Sequence, residues 1–418
     1  MNRKIFTIIV ITLTVLSVGM GLYASEPKDK ERDEIKLLTK DDIFYELSLF
    51  ADAFTLVDAN YVRELTSEEM IYGALDGMLS SLDSHSSFLT PDEFIEIQTE
   101  TLGEFGGVGI KITFRDHLLT VVSPLEDTPA EKSGILPNDK IVEIDGKSTK
   151  DFNLNDAVKV LRGVPGTEVV LTVLREDEDK LLYFTLKRAI IKIESIKEPF
   201  IIKSKIGYIR IADFQKNTSR DLDKALKSLL KKRMKALILD LRNNPGGLLK
   251  SSVDVSEKFL EKGKVVVTTK GRIKQQNAVF TSKAFRIYND FPIAVLINQG
   301  SASASEIVAG ALRDNKRAVT VGNKSFGKGS VQTVIPMRDG SALRLTTSYY
   351  HTPSGAIINE KGIIPDIEVD IPELKNQELF EKLRKLPIRD RLRKDAQVKA
   401  AIDLLQDKKR YLSLLSTE

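Results

Sequence analysis

Two short runs, ALILDL at 236–241 and PIAVLIN at 292–298, carry almost nothing that could face water. A strand apolar on both faces needs cover on both, which is how the strands of buried parallel sheets read. The neighbouring sequence supplies that cover. Amphipathic segments SRDLDKALKSLLKKR, LLKSSVDVSEKFLE and SASEIVAGALRDN alternate with the apolar runs KIGYIRIADF, KALILDL and PIAVLIN. From about Ile196 the chain therefore predicts a sheet with helices packed against it.

Elsewhere the rhythm differs. FYELSLFADAFTLVDANYV repeats apolar residues at helical spacing, and TSEEMIYGALDGMLSSL opens on a Thr66–Glu69 capping box. SLDSHSSFLTPDEF reads as a polar turn entering a helix capped at Thr90, with Pro91 at its first position. After Gly103 come GEFGGVGIKITF, LLTVVSPL, DKIVEIDG, TEVVLTVLRE and KLLYFTLKRA, short strands interrupted by one helical stretch, NLNDAVKVL. The tail is charged and helical, with an apolar stripe in DAQVKAAIDLLQDKKRYLSLL. The expected divisions are a leader at 1–24, a charged linker at 25–42, a helical segment at 43–102, a strand-rich module at 103–193, the sheet-and-helix core at 194–372 and a C-terminal helical region at 373–418.

The leader pairs a basic MNRK with the uncharged run Ile5–Tyr23. At about 1.5 Å per residue that run reaches roughly 28 Å, enough to cross a bilayer's hydrocarbon core. Small residues in GLYASEP offer a cleavage site, although Leu22 fits it poorly. Export is expected, to the periplasm or another extracytoplasmic space, with a retained anchor and a cleaved signal both open.

The chain has no cysteine, so disulfides, a thiol nucleophile and Cys-ligated zinc are excluded. Its three histidines, His85, His117 and His351, show no metal-ligand spacing, and no nucleotide fingerprint occurs. No metal or organic cofactor is expected. A formal charge of +4 on 418 residues, without a basic recognition helix, gives no reason to expect nucleic acid.

Chemistry concentrates in NQGSASASEIVAGALRDN and FGKGSVQ. The first runs from the strand AVLIN through a Gln299–Gly300 turn into a helix, so one of three serines sits where helix-terminal amides are unpaired. Such amides favour the negative charge that develops in acyl transfer. No His, Asp or Glu stands around those serines in triad fashion; His85 and His117 belong to other modules, and His351 is distant in sequence. Lys328, between Gly327 and Gly329, follows the strand AVTVG and can serve as base if burial lowers its pKa. Singly, the serine run reads as a packing turn and the lysine as a solvated loop residue. LDLRNNPGG turns sharply after a strand and leaves glycine N–H groups free, with Asp240 and Arg242 expected to hold the loop.

The strand-rich module resembles a PDZ domain through GGVGIKI and VVSPLEDTPAEKSGILPNDKIVEIDGKS. That resemblance implies a loop and strand formed by Gly106, Gly107, Val108, Gly109 and Ile110, taking a peptide's terminal carboxylate and adding it by β-augmentation. Ala157, Val158 and Leu161 would line the pocket from the facing helix. Together with LDLRNNPGGLL, the serine run and FGKGSVQ, the chain resembles the C-terminal processing peptidases, or tail-specific proteases, from Ile43 to about Pro365. The resemblance implies a multidomain α+β fold with a ClpP/crotonase-like α/β core and an inserted PDZ domain. It implies Ser303 as nucleophile, Lys328 as general base, Gln332 as the residue orienting them, and Gly246 or Gly247 with Ala304 as the oxyanion hole. Asp314, a third member in some relatives, reads physically as a helix-end residue. Arg162, ending the groove helix, either couples the PDZ domain to the core or only caps its helix.

The expected activity is that of a serine endopeptidase acting on proteins with free C-terminal tails. A homodimer is expected from the resemblance and the tail's stripe, and a regulatory or adaptor partner remains open. Two other classes also stay open, a pure PDZ scaffold and a hydratase-like protein on the same core.

Overall fold

The computed structural model describes residues 40–125, 127–176, 178–192, 194–196, 199–284, 287–370 and 388–416. The leader, most of the charged linker and the start of the C-terminal region lie outside them. Two units are separable, 1–70 and 71–418.

In the first, helix α1 (Lys40–Asn60) presents Phe44, Tyr45, Leu47, Leu49, Leu56 and others to solvent. Helix α2 (Ser67–Ser80) begins at the capping box: Glu69 Oε2 accepts the Thr66 N–H at 2.8 Å, and Thr66 Oγ1 accepts the Glu69 N–H at 3.1 Å. In the second unit, strand β1 (Ser87–Leu89) and helix α3 (Pro91–Leu102) follow, the latter capped by Thr90 and Glu93.

The PDZ module contains β2 (Glu104–Gly107), β3 (Ile110–Arg115), β4 (Leu118–Pro124), α4 (Pro129–Lys132), β5 (Lys140–Ile144), β6 (Lys147–Ser148), α5 (Leu154–Leu161), β7 (Glu168–Leu174), β8 (Leu182–Lys187) and β9 (Ala189–Lys192). Its main sheet runs β3-β4-β5-β7-β8, which leaves β3 at one edge, and β2 pairs with β9 apart from it. Leu119, Val121, Ile141, Ile144, Ala157, Val169 and Leu171 make the module's own core.

Two sheets build the remaining core. The elements are β10 (Phe200–Ile201), β11 (Ile206–Arg210), α6 (Thr218–Lys231), β12 (Ala236–Asp240), α7 (Leu249–Ser256), β13 (Val265–Gly271), β14 (Ala278–Thr281), β15 (Ile293–Ile297), α8 (Ala304–Asp314), β16 (Val319–Gly322), β17 (Ser330–Pro336), β18 (Ala342–His351) and β19 (Ile367–Glu368). The tail adds α9 (Ile388–Lys394), α10 (Ala396–Gln406) and α11 (Lys408–Ser416). One sheet has the order β10-β11-β12-β15-β16-β19, parallel from β11 onward. Every residue of β12 and β15 is buried, because both faces are covered. Leu222, Leu226, Val255, Ile307 and Val308 of α6, α7 and α8 belong to the core on one face. Val398, Ala401, Leu404 and Tyr411 of the tail belong to that on the other. Each Leu, Ile or Val among them contributes about 1.5–3 kcal/mol when fully buried.

The tail's apolar stripe, read from sequence as a dimer surface, is thus used on this chain's own sheet. Two helices carry it. Asp407 separates them, its carboxylate accepting the Arg410 N–H at 3.0 Å, and Tyr411 Oη then reaches the backbone of Ile293. The second sheet joins β1-β18-β13-β14, with β17 also on β18. The segment read as a polar turn before Thr90 thus supplies a strand, Ser87–Leu89, to the core. Three residues between polar flanks are too short for periodicity to reveal.

Candidate active site

Of the three serines in 301–305, the fold buries two and leaves one. Ser301 Oγ donates to the Leu241 carbonyl at 2.8 Å and Ser305 Oγ to the Asn244 carbonyl at 3.0 Å, and both residues are fully buried. They stitch this segment to the turn after β12. Ser303 alone is half-buried, at φ 54° and ψ −112°, immediately before α8. A non-glycine residue in that conformation costs about 1–3 kcal/mol, and a sharp strand-to-helix turn of this kind pushes a hydroxyl outward.

The other half of the site is the 243–247 turn. Gly246 has φ 109°, and a Cβ there would lie 2.8 Å from the Ser303 Cβ and 2.8 Å from the Ala302 carbonyl oxygen. Glycine is what lets the turn touch the serine. The Gly246 N–H is taken by Asn244 Oδ1 at 2.8 Å, whereas the amides of Gly247 and Ala304 make no hydrogen bond among the described residues. Ala304 is the first residue of α8, where helix geometry leaves the N–H over. Gly246→Ala is accordingly expected to lower kcat on a peptide substrate about 100-fold, the scale of a misplaced reacting group. Comparing kcat with the melting temperature separates this from general destabilisation.

Lys328 is half-buried between its glycines, both of which meet the 358–362 turn: a Cβ on Gly329 would collide with the Asn359 backbone, and one on Gly327 would press on Glu360. Burial, then the positive charge of Arg344, hold the Lys328 ammonium below the ordinary lysine value. Glu306, which sequence reasoning passed over, connects the two centres. It is fully buried in the first turn of α8. Its Oε2 accepts the backbone N–H of Ser303 at 2.8 Å and of Lys328 at 2.9 Å; its Oε1 accepts Ser325 Oγ at 2.5 Å and the Gly327 N–H at 2.7 Å. One carboxylate thus sets both backbones. Burial pushes this carboxyl above its ordinary range, against the pull of those four donors. The S-x-x-E spacing of 303–306, a capping-box pattern, was the available signal.

Beneath the turn lies a second buried carboxylate. Asp240 accepts from Tyr208 Oη at 2.6 Å and from Arg242 Nη2 at 2.7 Å. Burial opposes its ionisation, yet the Arg242 charge and these bonds hold it below the ordinary range. Arg242 Nη1 continues to Asp395 at 2.7 Å and to the Gln397 amide oxygen at 3.0 Å, so the start of α10 anchors the glycine turn.

The remaining sequence candidates are placed as follows. Gln332 donates to Ser330 Oγ at 2.8 Å and Thr346 Oγ1 at 3.4 Å. His85 is in the vicinity of Lys328: its imidazole is held below its usual value by burial and then by the Lys328 charge. The expectation that it belongs to another module is corrected, because β1 joins β18. Asp314 engages Arg313 and the Ser354 N–H at the far end of α8, and His351 Nδ1 lies 3.3 Å from the Tyr349 carbonyl oxygen.

In the PDZ module Gly106 and Gly107 lie within β2, paired with Ile190 and Ala189, while Val108 and Gly109 connect it to the edge strand β3, which begins at Ile110. Ala157 and Leu161 are buried in the module's core and Val158 is half-buried. The Arg162 guanidinium lies 4.9 Å over the Phe105 ring and 3.6 Å from Glu96 of α3. It reaches outside the module, to the helix before it rather than to the serine and lysine.

Comparison with known proteins identifies both the core and the inserted module. Residues 205–369 match peptidase family S41 and residues 120–175 match a PDZ domain. A carboxy-terminal-processing protease of Bartonella bacilliformis is 44% identical over 356 residues, covering 84% of this chain and 81% of the relative. A probable CtpA-like serine protease of Staphylococcus aureus is 37% identical over 346 residues, covering 82% and 69%. Among solved structures, a photosystem II D1 C-terminal processing protease is 28% identical, with a TM-score of 0.46 over 89% of this chain and 99% of that one. With an S41 core, an inserted PDZ domain and relatives of this identity and coverage, the chain belongs to the carboxy-terminal-processing proteases of peptidase family S41 and is a serine-type peptidase.

Proposed function

We propose that Ser303 is the nucleophile and Lys328 the general base of an endopeptidase that takes its substrates by their C-terminal tails. The observation that carries this reading is Glu306 Oε2, a single oxygen accepting the N–H of the accessible serine of 301–305 and of the half-buried lysine. The neutral Lys328 amine removes the Ser303 hydroxyl proton as Oγ attacks the scissile carbonyl. The Ala304 and Gly247 amides receive the oxyanion, and Gln332 helps order the lysine's surroundings. Protonated Lys328 then gives its proton to the departing amine, and water, activated by the same lysine, hydrolyses the acyl-enzyme.

Tail capture is assigned to the open edge of β3 with α5 opposite, the Val108–Gly109 connection presenting amides to the terminal carboxylate. Arg162, tied to Phe105 at the root of that connection and to α3, links groove occupancy to the rest of the chain. The exposed apolar residues of α1 favour a homodimer, and the leader favours an exported enzyme.

The test is an unfolded protein whose tail extends well beyond the cleaved bond, supplied as free acid and as C-terminal amide. Wild type should fragment the free acid with a KM about 10-fold lower than the amide, and Ser303→Ala should leave both intact. Equal KM values would remove tail capture. Fragments from Ser303→Ala would remove the nucleophile.

A further inference from the structure

Arg344 sits in the middle of the second sheet, opposite Val334 of β17 on one side and Ser87 of β1 on the other. Two residues along β18, Thr346 is opposite Gln332. Side chains at paired positions and at every second residue share a face, so Ser87, Arg344, Val334, Thr346 and Gln332 line one side of this sheet. Two polar atoms on that face are buried without a hydrogen-bond partner, Arg344 Nε and Ser87 Oγ, contributed by directly opposed residues.

The charges nearby sharpen the point. Arg344 acts electrostatically on both Lys328 and His85, so three basic side chains gather here. Asp83 is the neighbouring acid, and its carboxylate already accepts the N–H groups of His85 and Ser86, Ser86 Oγ and Thr346 Oγ1. Among the described residues Arg344 has no ion pair. Arg344 as a residue is half-buried, with its Nε enclosed, and the planar fork of a guanidinium matches a carboxylate with two parallel bonds.

We infer that this face is a carboxylate subsite in which Arg344, with Ser87 beside it, receives an acidic group of the substrate close to the scissile bond. The inference rests on the Ser303–Lys328 reading for where that bond lies. The group is either an Asp or Glu side chain or the terminal carboxylate of a tail short enough to reach the cleft. Arg344 here selects substrate and takes no part in proton transfer.

The experiment uses the full chain and matched peptides. One pair carries Glu or Gln within three residues of the cleaved bond; another ends within that reach as free acid or amide. In wild type the acidic member of at least one pair should be favoured about 10-fold in kcat/KM, the scale of a hydrogen bond to a charged group, with the difference in KM. Arg344→Gln should bring the Glu/Gln ratio close to one and lower the acid/amide ratio to what the PDZ domain alone supplies, with Arg344→Lys intermediate. Loss of the arginine also alters Lys328, but equally for both members of a pair, so the ratio isolates the subsite. The PDZ contribution to the acid–amide pair persists in the variant, so only the part lost with Arg344 counts. A Glu preference lost in Arg344→Gln identifies an acidic side chain as the ligand, and a free-acid preference reduced in Arg344→Gln identifies the terminal carboxylate. Ratios near one in wild type, or an unchanged ratio in Arg344→Gln, overturn the proposal. The parent reading fails separately, if Ser303→Ala still cleaves any of these peptides.

Discussion

Lys328→Ala should lower kcat/KM about 10,000-fold or more, as far as Ser303→Ala does, and the double variant should fall little further. Members of one nucleophile–base unit are not additive, since losing either leaves the other without its function. The residual rate comes from the oxyanion site and substrate binding. The pH profile supplies an independent check. Lys328 works as a base only when neutral, so activity must rise with pH through its pKa. Burial and the Arg344 charge lower that pKa, so the ascending limb should lie below the ordinary lysine value of about 10.4. His85 is the nearby group that could imitate such a limb. His85→Gln should keep it, and Lys328→Ala should remove it along with the activity. A limb that vanishes in His85→Gln while Lys328→Ala stays active would transfer the base to the histidine.

The second large effect is expected at a residue that never meets substrate. Glu306→Gln should reduce kcat about 100-fold with KM nearly unchanged. Both carboxylate oxygens are acceptors for two donors each. A glutamine keeps one oxygen and turns an NH2 group toward the other two donors. Each buried donor left unsatisfied costs about 1–3 kcal/mol, and the strain falls on the Ser303 or Lys328 backbone. A small displacement of a reacting group costs about 100-fold in rate. Labelling of Ser303 by a fluorophosphonate distinguishes positioning from unfolding. It should slow in proportion to kcat while the circular dichroism stays that of wild type. Glu306→Asp, which keeps the charge but shortens the reach, should recover part of the rate. Wild-type labelling of Glu306→Gln would reduce Glu306 to a helix cap.

The division between what was legible and what was not follows distance along the chain. The serine and lysine stood out as candidates because each stands in a local pattern: a strand, a small-residue turn, a helix start, and a lysine between two glycines. The capping box at Thr66 and the helix cap at Thr90 were legible for the same reason, a local pattern of cap and following residues. Choosing Ser303 from its neighbours by burial was different. Ser301 and Ser305 are spent on carbonyls 60 and 61 residues away, and no local rule reports that.

By itself, then, the sequence determined the layered core, the inserted strand-rich module and membership of a serine-peptidase family, because apolar periodicity, turn residues and short motifs are local properties. Only the tertiary structure decided that Glu306 ties Ser303 to Lys328, that Asp395 anchors the glycine turn through Arg242 across 153 residues, and that His85 and Arg344 gather beside Lys328. The tail's apolar stripe had two possible partners, another chain or this one's sheet, and packing selected the sheet. A buried hydrogen bond or ion pair is favourable only where both partners leave water together, and which partners meet is settled by how the layers close.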